Sequence, residues 1–128
     1  MKKNNYNKNY LITGTSSGIG NVLAKYLLSK KYNVIGIARS KKNINNKNYT
    51  HISEDISKKD SAKKIFDILR YKKIKLDGLI NNAGINIPNK FSKISRADFD
   101  KVIDVNLAGP FFLTQKIINL IKKEGSIV

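Results

Sequence analysis

The chain predicts a doubly wound α/β fold, a parallel sheet with helices on both faces, and three observations carry that expectation. Short, almost wholly apolar runs alternate with longer segments of helical periodicity, as strands covered on both faces do. A glycine-rich turn, Thr13 to Gly20, joins the first apolar run to the first helical segment. A later run, Leu76 to Ile80, leads directly into Asn81-Asn82-Ala83-Gly84, a turn of small and amide side chains.

Each element follows from local pattern. Residues 1 to 8 are polar and predict a frayed, basic N-terminus ahead of a single domain over 9 to 128. A first strand spans about Asn9 to Thr13. A helix follows from about Ser17 to Lys30, where Ile19, Val22, Leu23, Tyr26 and Leu27 recur at helical spacing. Asn33 to Ala38 make a second strand, followed by a Lys/Asn-rich loop over Ser40 to Asn48. Tyr49 to Ile52 make a short third strand. Ser57 is placed to cap a helix running to about Tyr71, with Ala62, Ile65, Phe66 and Leu69 on its buried face. Leu76 to Ile80 form the fourth strand. Beyond Pro88, Ser95 with Asp98 three residues on predicts a variant capping box. That helix should bury Phe99, Val102 and Ile103, then continue past Asn106 as Phe111 to Ile121. Pro110 has no N–H, so a kink or restart belongs near Gly109. This alternation is the Rossmann plan.

The glycine turn has a chemical use. Free N–H groups at a helix start, together with the positive end of the helix dipole, converge on a phosphate. Gly14 lets the chain turn with positive φ, Gly18 lets the main chain approach a pyrophosphate, and Gly20 lets the helix sit close to the strand. Ser16, Ser17 and Ile19 complete this candidate site. The spacing is G-x-x-x-G-x-G, and a glycine turn holding no ligand is the alternative.

Taken together, Thr13-Gly14-x-x-x-Gly18-Ile19-Gly20, Asn81-Asn82-Ala83-Gly84 and Val105-Asn106-Leu107-x-Gly109 resemble the short-chain dehydrogenase/reductase family over residues 9 to 128. The resemblance implies an oxidoreductase moving hydride between a nicotinamide and a small-molecule carbonyl or alcohol. It also implies a catalytic Ser after the fifth strand and a Tyr-x-x-x-Lys on the next helix. Gly125-Ser126-Ile127-Val128 reads as the opening of that fifth strand, so the fold is expected to be incomplete at its C-terminus and inactive alone. Tyr26 to Lys30 and Tyr71 to Lys75 match Tyr-x-x-x-Lys but stand upstream on the wrong elements. They are expected to be chance matches in a Lys-rich chain.

The cofactor is expected to be NADP rather than NAD. In an NAD site an acidic side chain ends the second strand, but the first acidic residue here is Glu54. Arg39 and Ser40 stand at that strand end, and a guanidinium suits a 2′-phosphate. The alternative is an Arg that merely faces solvent. By the resemblance, Asp55 and Ile56 contact the adenine, while Asn82, Ala83 and Gly84 line the cofactor and tie the sheet together. A structural Asp and a ligand-free turn are the respective alternatives. Asn106 matches the family's Asn that bends the long helix and frees a carbonyl for a water relay, or it merely tolerates a kink.

Composition excludes several classes. There is no Cys, so no disulfide and no thiolate metal site. The lone His51 has no evident partners for a metal. No run approaches the roughly 20 apolar residues that span a bilayer, and the N-terminus has no signal-peptide pattern, so a cytoplasmic protein is expected. The net charge of +16 comes from 22 Lys against three Arg, with Asn also abundant. That pairing points to compositional bias and a solvated surface, not specific nucleic-acid binding. The runner-up readings are a non-catalytic dinucleotide-binding module and, more distantly, a basic nucleic-acid binder. A sheet that stops early would expose a parallel edge, which predicts poor solubility or dependence on another chain, while the family resemblance implies a homo-oligomer through the helix containing Phe111.

Overall fold

The computed structural model describes residues 8–41 and 43–128. Apart from Lys8, the expected frayed N-terminus lies outside the described residues. Strands β1 (Asn9–Thr13), β2 (Asn33–Ala38), β3 (Tyr49–Ser53), β4 (Leu76–Ile80) and β5 (Ile121–Ile127) alternate with helices α1 (Gly18–Ser29), α2 (Ser61–Tyr71), α3 (Arg96–Ile103) and α4 (Gly109–Ile117). Every strand pair is parallel, in the order β3-β2-β1-β4-β5. The chain builds outward from β1 to β3, then crosses back to place β4 on the other side of β1. Ligands of open α/β sheets bind above that reversal.

Alternation along the strands fills both faces. Leu11 joins Ile35, Ile37, Ile52, Ile65, Leu69 and Leu79 beneath α2 and α4, with Leu113 and Ile117 from the latter. Ile12 points the other way and packs with Ala24, Leu28, Val34, Ile44 and Tyr49 beneath α1. Gly20 closes the second layer. A Cβ there would run into the Gly14 carbonyl oxygen and the Asn82 amide nitrogen, so α1 can sit this close to the turn only without a side chain.

Several local expectations are corrected. The apolar stripe read along α1 is largely its outer face: Ile19, Val22 and Tyr26 are exposed, and the buried residues are the smaller Gly20 and Ala24 with Leu28. Leu23 and Leu27 lie partly buried against the core. Helix α2 starts at Ser61 behind Asp60, not at Ser57. Asp55 takes both the Ser57 N–H (3.0 Å) and its hydroxyl (2.6 Å), and the main chain turns there instead of starting a helix. Ile65 and Leu69 are buried as expected, while Ala62 and Phe66 are half-buried.

Ser95 does cap α3: its hydroxyl accepts from the Asp98 N–H (3.0 Å) and donates to the Asp98 carboxylate (2.8 Å). The face expected to be buried on α3 is not. Phe99 and Ile103 are exposed and Val102 half-buried, because no described element packs on that side. The helix then widens into one π-helical stretch, Asp104–Ala108, before α4. Gly109 donates five residues back, to Asp104, and Pro110 falls in the first turn of α4, where its missing N–H costs least. The expected break near Gly109 is therefore this widened turn. Helix α4 ends at Ile117, and Ile121, expected to be helical, begins β5.

Strand β5 starts earlier than read, pairing Ile121 with Leu76, then bulges so that residues 122–125 stand opposite Asp77. Lys122 in the bulge donates to both Asp77 oxygens (2.9 and 2.8 Å). The ladder resumes at Ser126 and extends to Val128, which donates to Leu79 and accepts from Asn81. Gly20→Ala is expected to cost about 1–3 kcal/mol by overpacking, seen as a lower urea midpoint at unchanged slope. An unshifted midpoint would mean that helix and turn separate freely.

Candidate functional site

The glycine turn has the geometry its sequence implies. Gly14 and Gly18 have φ of 77° and 55°, a region where a side chain is strained. The Gly14 N–H donates to the Ile37 carbonyl (2.7 Å), fixing the turn to the end of β2. A Cβ at Gly18 would meet nothing within 4 Å, so the bare main chain faces open space. Ser17 holds the N-cap position with extended backbone, yet its hydroxyl makes no capping bond and the first turn carries no acid. The leading N–H groups of α1 thus keep their donor capacity, and the positive helix end meets no competing carboxylate from its own first turn.

The end of β4 is stitched to this turn. The buried Thr13 hydroxyl accepts from the N–H groups of Asn82 (3.0 Å) and Ala83 (2.9 Å). In return the Asn82 amide donates to the carbonyls of Thr13 (3.0 Å) and Gly14 (3.3 Å). Farther along, the Asn106 side chain accepts from the Ile85 N–H (2.8 Å) and donates to the Ile85 carbonyl (2.9 Å). Asn106 therefore braces the segment after Gly84 with its side chain, from inside the widened helical turn.

The third wall comes from the ends of β2 and β3. Arg39 leaves β2 there, and among the described residues no carboxylate lies within ion-pair distance of its guanidinium. Partial burial pushes the Asp55 carboxyl up. The two Ser57 hydrogen bonds and the charges of Arg39 and Lys58 outweigh that and hold it below its ordinary value.

These walls enclose a cleft of about 340 Å³. Of the residues singled out from sequence, it gathers Gly14, Ser16, Ser17, Ile19, Arg39, Asp55, Ile56, Asn82, Ala83 and Gly84. Gly18, Gly20, Ser40 and Asn106 do not line it: Gly20 lies under the turn, and Asn106 acts through Ile85. Glu54, Ile37, Ala38, Ile85 and Val105 also line it and were not singled out. Their signal was adjacency, since each directly neighbours a singled-out residue or lies one step from one. Neither Tyr26 nor Tyr71 reaches the cleft; both are exposed on the outer surfaces of α1 and α2.

A family model described as short chain dehydrogenase matches residues 8–128. Sorbitol-6-phosphate 2-dehydrogenase of Klebsiella pneumoniae is 29% identical over 92% of this chain and 49% of its own length. NADPH-dependent pterin aldehyde reductase of Arabidopsis thaliana is 33% identical over 92% of this chain and 53% of its own. A solved short chain dehydrogenase from Leptospira borgpetersenii, with bound NAD+, superposes with a TM-score of 0.84 at 33% identity, covering 89% of this chain and 46% of that one. The chain spans about half the length of these relatives. Among the described residues no helix is long and apolar enough to cross a membrane.

Because the folded state depresses the Asp55 carboxyl, its contribution to stability is complete above the ordinary value of 3.8 and is lost as pH falls through the folded value. Denaturant melts from pH 7 to pH 2.5 should show a constant gap between the parent chain and Asp55→Asn down to about pH 5. The gap should close below that. A gap independent of pH would remove the assigned role of Ser57 and Arg39.

Proposed function

Because the chain belongs to the short-chain dehydrogenase family, we propose that it supplies the nucleotide-binding part of an NADP-dependent oxidoreductase. The reaction is hydride transfer between the nicotinamide and a carbonyl or alcohol carbon. The observation that carries this reading is the convergence of three separate chain segments on one cleft. The bare glycine turn, the Arg39–Asp55–Ile56 corner and the Asn82-Ala83-Gly84 turn all open into it.

The residues present fit a dinucleotide. Ser16, Ser17 and the first N–H groups of α1 suit the pyrophosphate, whose two charges the helix end favours. Ile19 lies across the mouth as an apolar cover. Asp55 and Ile56 suit an adenine, one as acceptor and one as apolar surface. Asn82, Ala83 and Gly84 offer a floor without bulk toward the centre of the sheet. Arg39 provides a planar fork of donors for a 2′-phosphate. When bound, the cofactor supplies or accepts the hydride; this chain's residues position it. Asn106 fixes the segment after Gly84 and so sets the depth of the cleft.

A second reading, NAD, draws on Glu54, a carboxylate in the same wall that could accept from ribose hydroxyls. The NAD+ and NADH complexes among the structural neighbours favour it. The two readings differ at one side chain. In calorimetry, Arg39→Ala is expected to weaken NADPH binding about 10- to 150-fold, the worth of a charge-assisted contact, and to leave NADH within about 2-fold. Equal losses for both cofactors would favour the NAD reading, and no uptake of either by folded chain would end the proposal.

Residues 1 to 128 alone are proposed to bind without turnover, since among the described residues no Tyr–Lys pair lines the cleft. Purified chain, freed of host reductases, should therefore show no NADPH consumption with ketone or aldehyde panels. Sustained consumption that Asn82→Ala abolishes would refute this.

A further inference from the structure

The lone histidine and a buried tyrosine do something that neither the cleft nor the core requires. On the α1 face of the sheet, the Thr15 hydroxyl lies 2.9 Å from the Tyr49 hydroxyl. Tyr49 in turn lies 3.4 Å from His51 Nδ1, and His51 Nε2 lies 2.8 Å from the Ser40 carbonyl oxygen. Thr15 and Tyr49 are buried and His51 half-buried. The chain of contacts starts in the glycine turn and ends one residue past Arg39.

Donor and acceptor chemistry gives the chain a direction. A carbonyl only accepts, so Nε2 must carry a proton and donate to Ser40. In the neutral ring Nδ1 then holds a lone pair and accepts from the Tyr49 hydroxyl, which accepts from Thr15. Sheet geometry makes room for this. Tyr49, His51 and Ser53 alternate onto one face of β3, and β2 offers Gly36 opposite His51. A Cβ at Gly36 would collide with the Tyr49 hydroxyl and come within 2.6 Å of the Thr15 hydroxyl. Ser53 adds a second tie, donating to the Arg39 carbonyl (3.2 Å). Both carbonyls of the Arg39–Ser40 step are thus held from β3.

We infer that Tyr49 and His51 are positioning residues for cofactor discrimination: the Thr15–Tyr49–His51–Ser40 relay fixes the Arg39–Ser40 main chain relative to the phosphate-binding turn. The inference rests on the reading that Arg39 meets the 2′-phosphate. A pyrophosphate and a 2′-phosphate are carried by the same ribose, so a short run of covalent bonds bounds their separation. Their two protein anchors must therefore keep a set spacing, and the relay spans the gap between them. Ordinary packing of Tyr49 would stabilise the fold but would not separate NADPH from NADH.

The test measures NADPH and NADH affinities by calorimetry on the full chain and on Tyr49→Phe, His51→Leu and His51→Gln. The NADPH-to-NADH ratio is expected to fall about 3- to 10-fold in Tyr49→Phe and His51→Leu, the worth of one hydrogen bond, with NADH itself little changed. His51→Gln, whose amide can still donate to Ser40, should recover most of the ratio. Long-range ¹H–¹⁵N correlation on the single imidazole should show the Nε2–H tautomer, with Nδ1 shifting in Tyr49→Phe. A parent chain that prefers NADPH, with a ratio unmoved in both Tyr49→Phe and His51→Leu, overturns the relay alone. A parent chain with no preference overturns the Arg39 reading, and the inference falls with it.

Discussion

The structure turns on the exchange of hydrogen bonds between Thr13 and Asn82. Strand order reverses between β1 and β4, and adjacent strand ends there would otherwise splay and leave main-chain groups unpaired. The Thr13 hydroxyl takes two N–H groups from β4's exit, and the Asn82 amide takes two carbonyls from β1's exit. The Thr13 hydroxyl is fully buried and the groups it meets are partly so, and a buried group left unpaired there would cost about 1–3 kcal/mol. The exchange also sets the height of Gly14, whose oxygen limits how near α1 can come through Gly20. Cleft floor, glycine turn and helix start are therefore one mechanical unit.

The helices around that unit are unevenly covered. The inner faces of α1, α2 and α4 fill two well-packed layers, yet α1 leaves Ile19, Val22 and Tyr26 exposed, and α4 with the turn after it leaves Phe111, Phe112 and Ile118. Phe111 and Phe112 meet edge to face with ring centroids 5.1 Å apart, so part of this apolar surface is contiguous. The chain spans about half the length of its relatives, so burial within it alone understates the packing of a full-length relative.

Strands β1, β2 and β4 were legible as short apolar runs and fall where the pattern puts them, and β3 is longer by Ser53 alone, whereas β5, Ile-Lys-Lys-Glu-Gly-Ser-Ile, carries no such run and its start was read as helix. The turn's positive φ angles were legible for the same kind of local reason. Helix faces were less so. The outward stripe of α1 carries more apolar bulk than its inward one, because Gly20 and Ala24 meet the sheet where bulk is excluded, so periodicity alone does not say which side faces the sheet. Ser57 failed as a cap because its N–H and hydroxyl both donate to the Asp55 carboxylate, so the chain turns there instead of starting a helix. The relay through His51 was invisible, since it depends on which strands pair and on the gap at Gly36. Most of the singled-out residues that line the cleft come from motifs, Val105 opens one of those motifs, and Glu54 and Ile85 enter as chain neighbours of singled-out residues.

Charge poses a last question, since a chain of +16 attracts any anion. The attraction between exposed charges is screened within about 8 Å at physiological ionic strength, so the scattered lysines raise encounter rates but hardly select among phosphates. Selection needs donors whose direction is fixed before the ligand arrives, because orienting them afterwards costs entropy. The first turn of α1 meets that condition through helical geometry, and Arg39 leaves main chain held at its own carbonyl and at that of Ser40. Lysines on outer faces, such as Lys63 and Lys64, are instead spent on neighbouring carboxylates in exposed pairs worth little. On the proposed reading, discrimination between nucleotides falls to a few positioned donors, and net charge sets only how often nucleotides arrive.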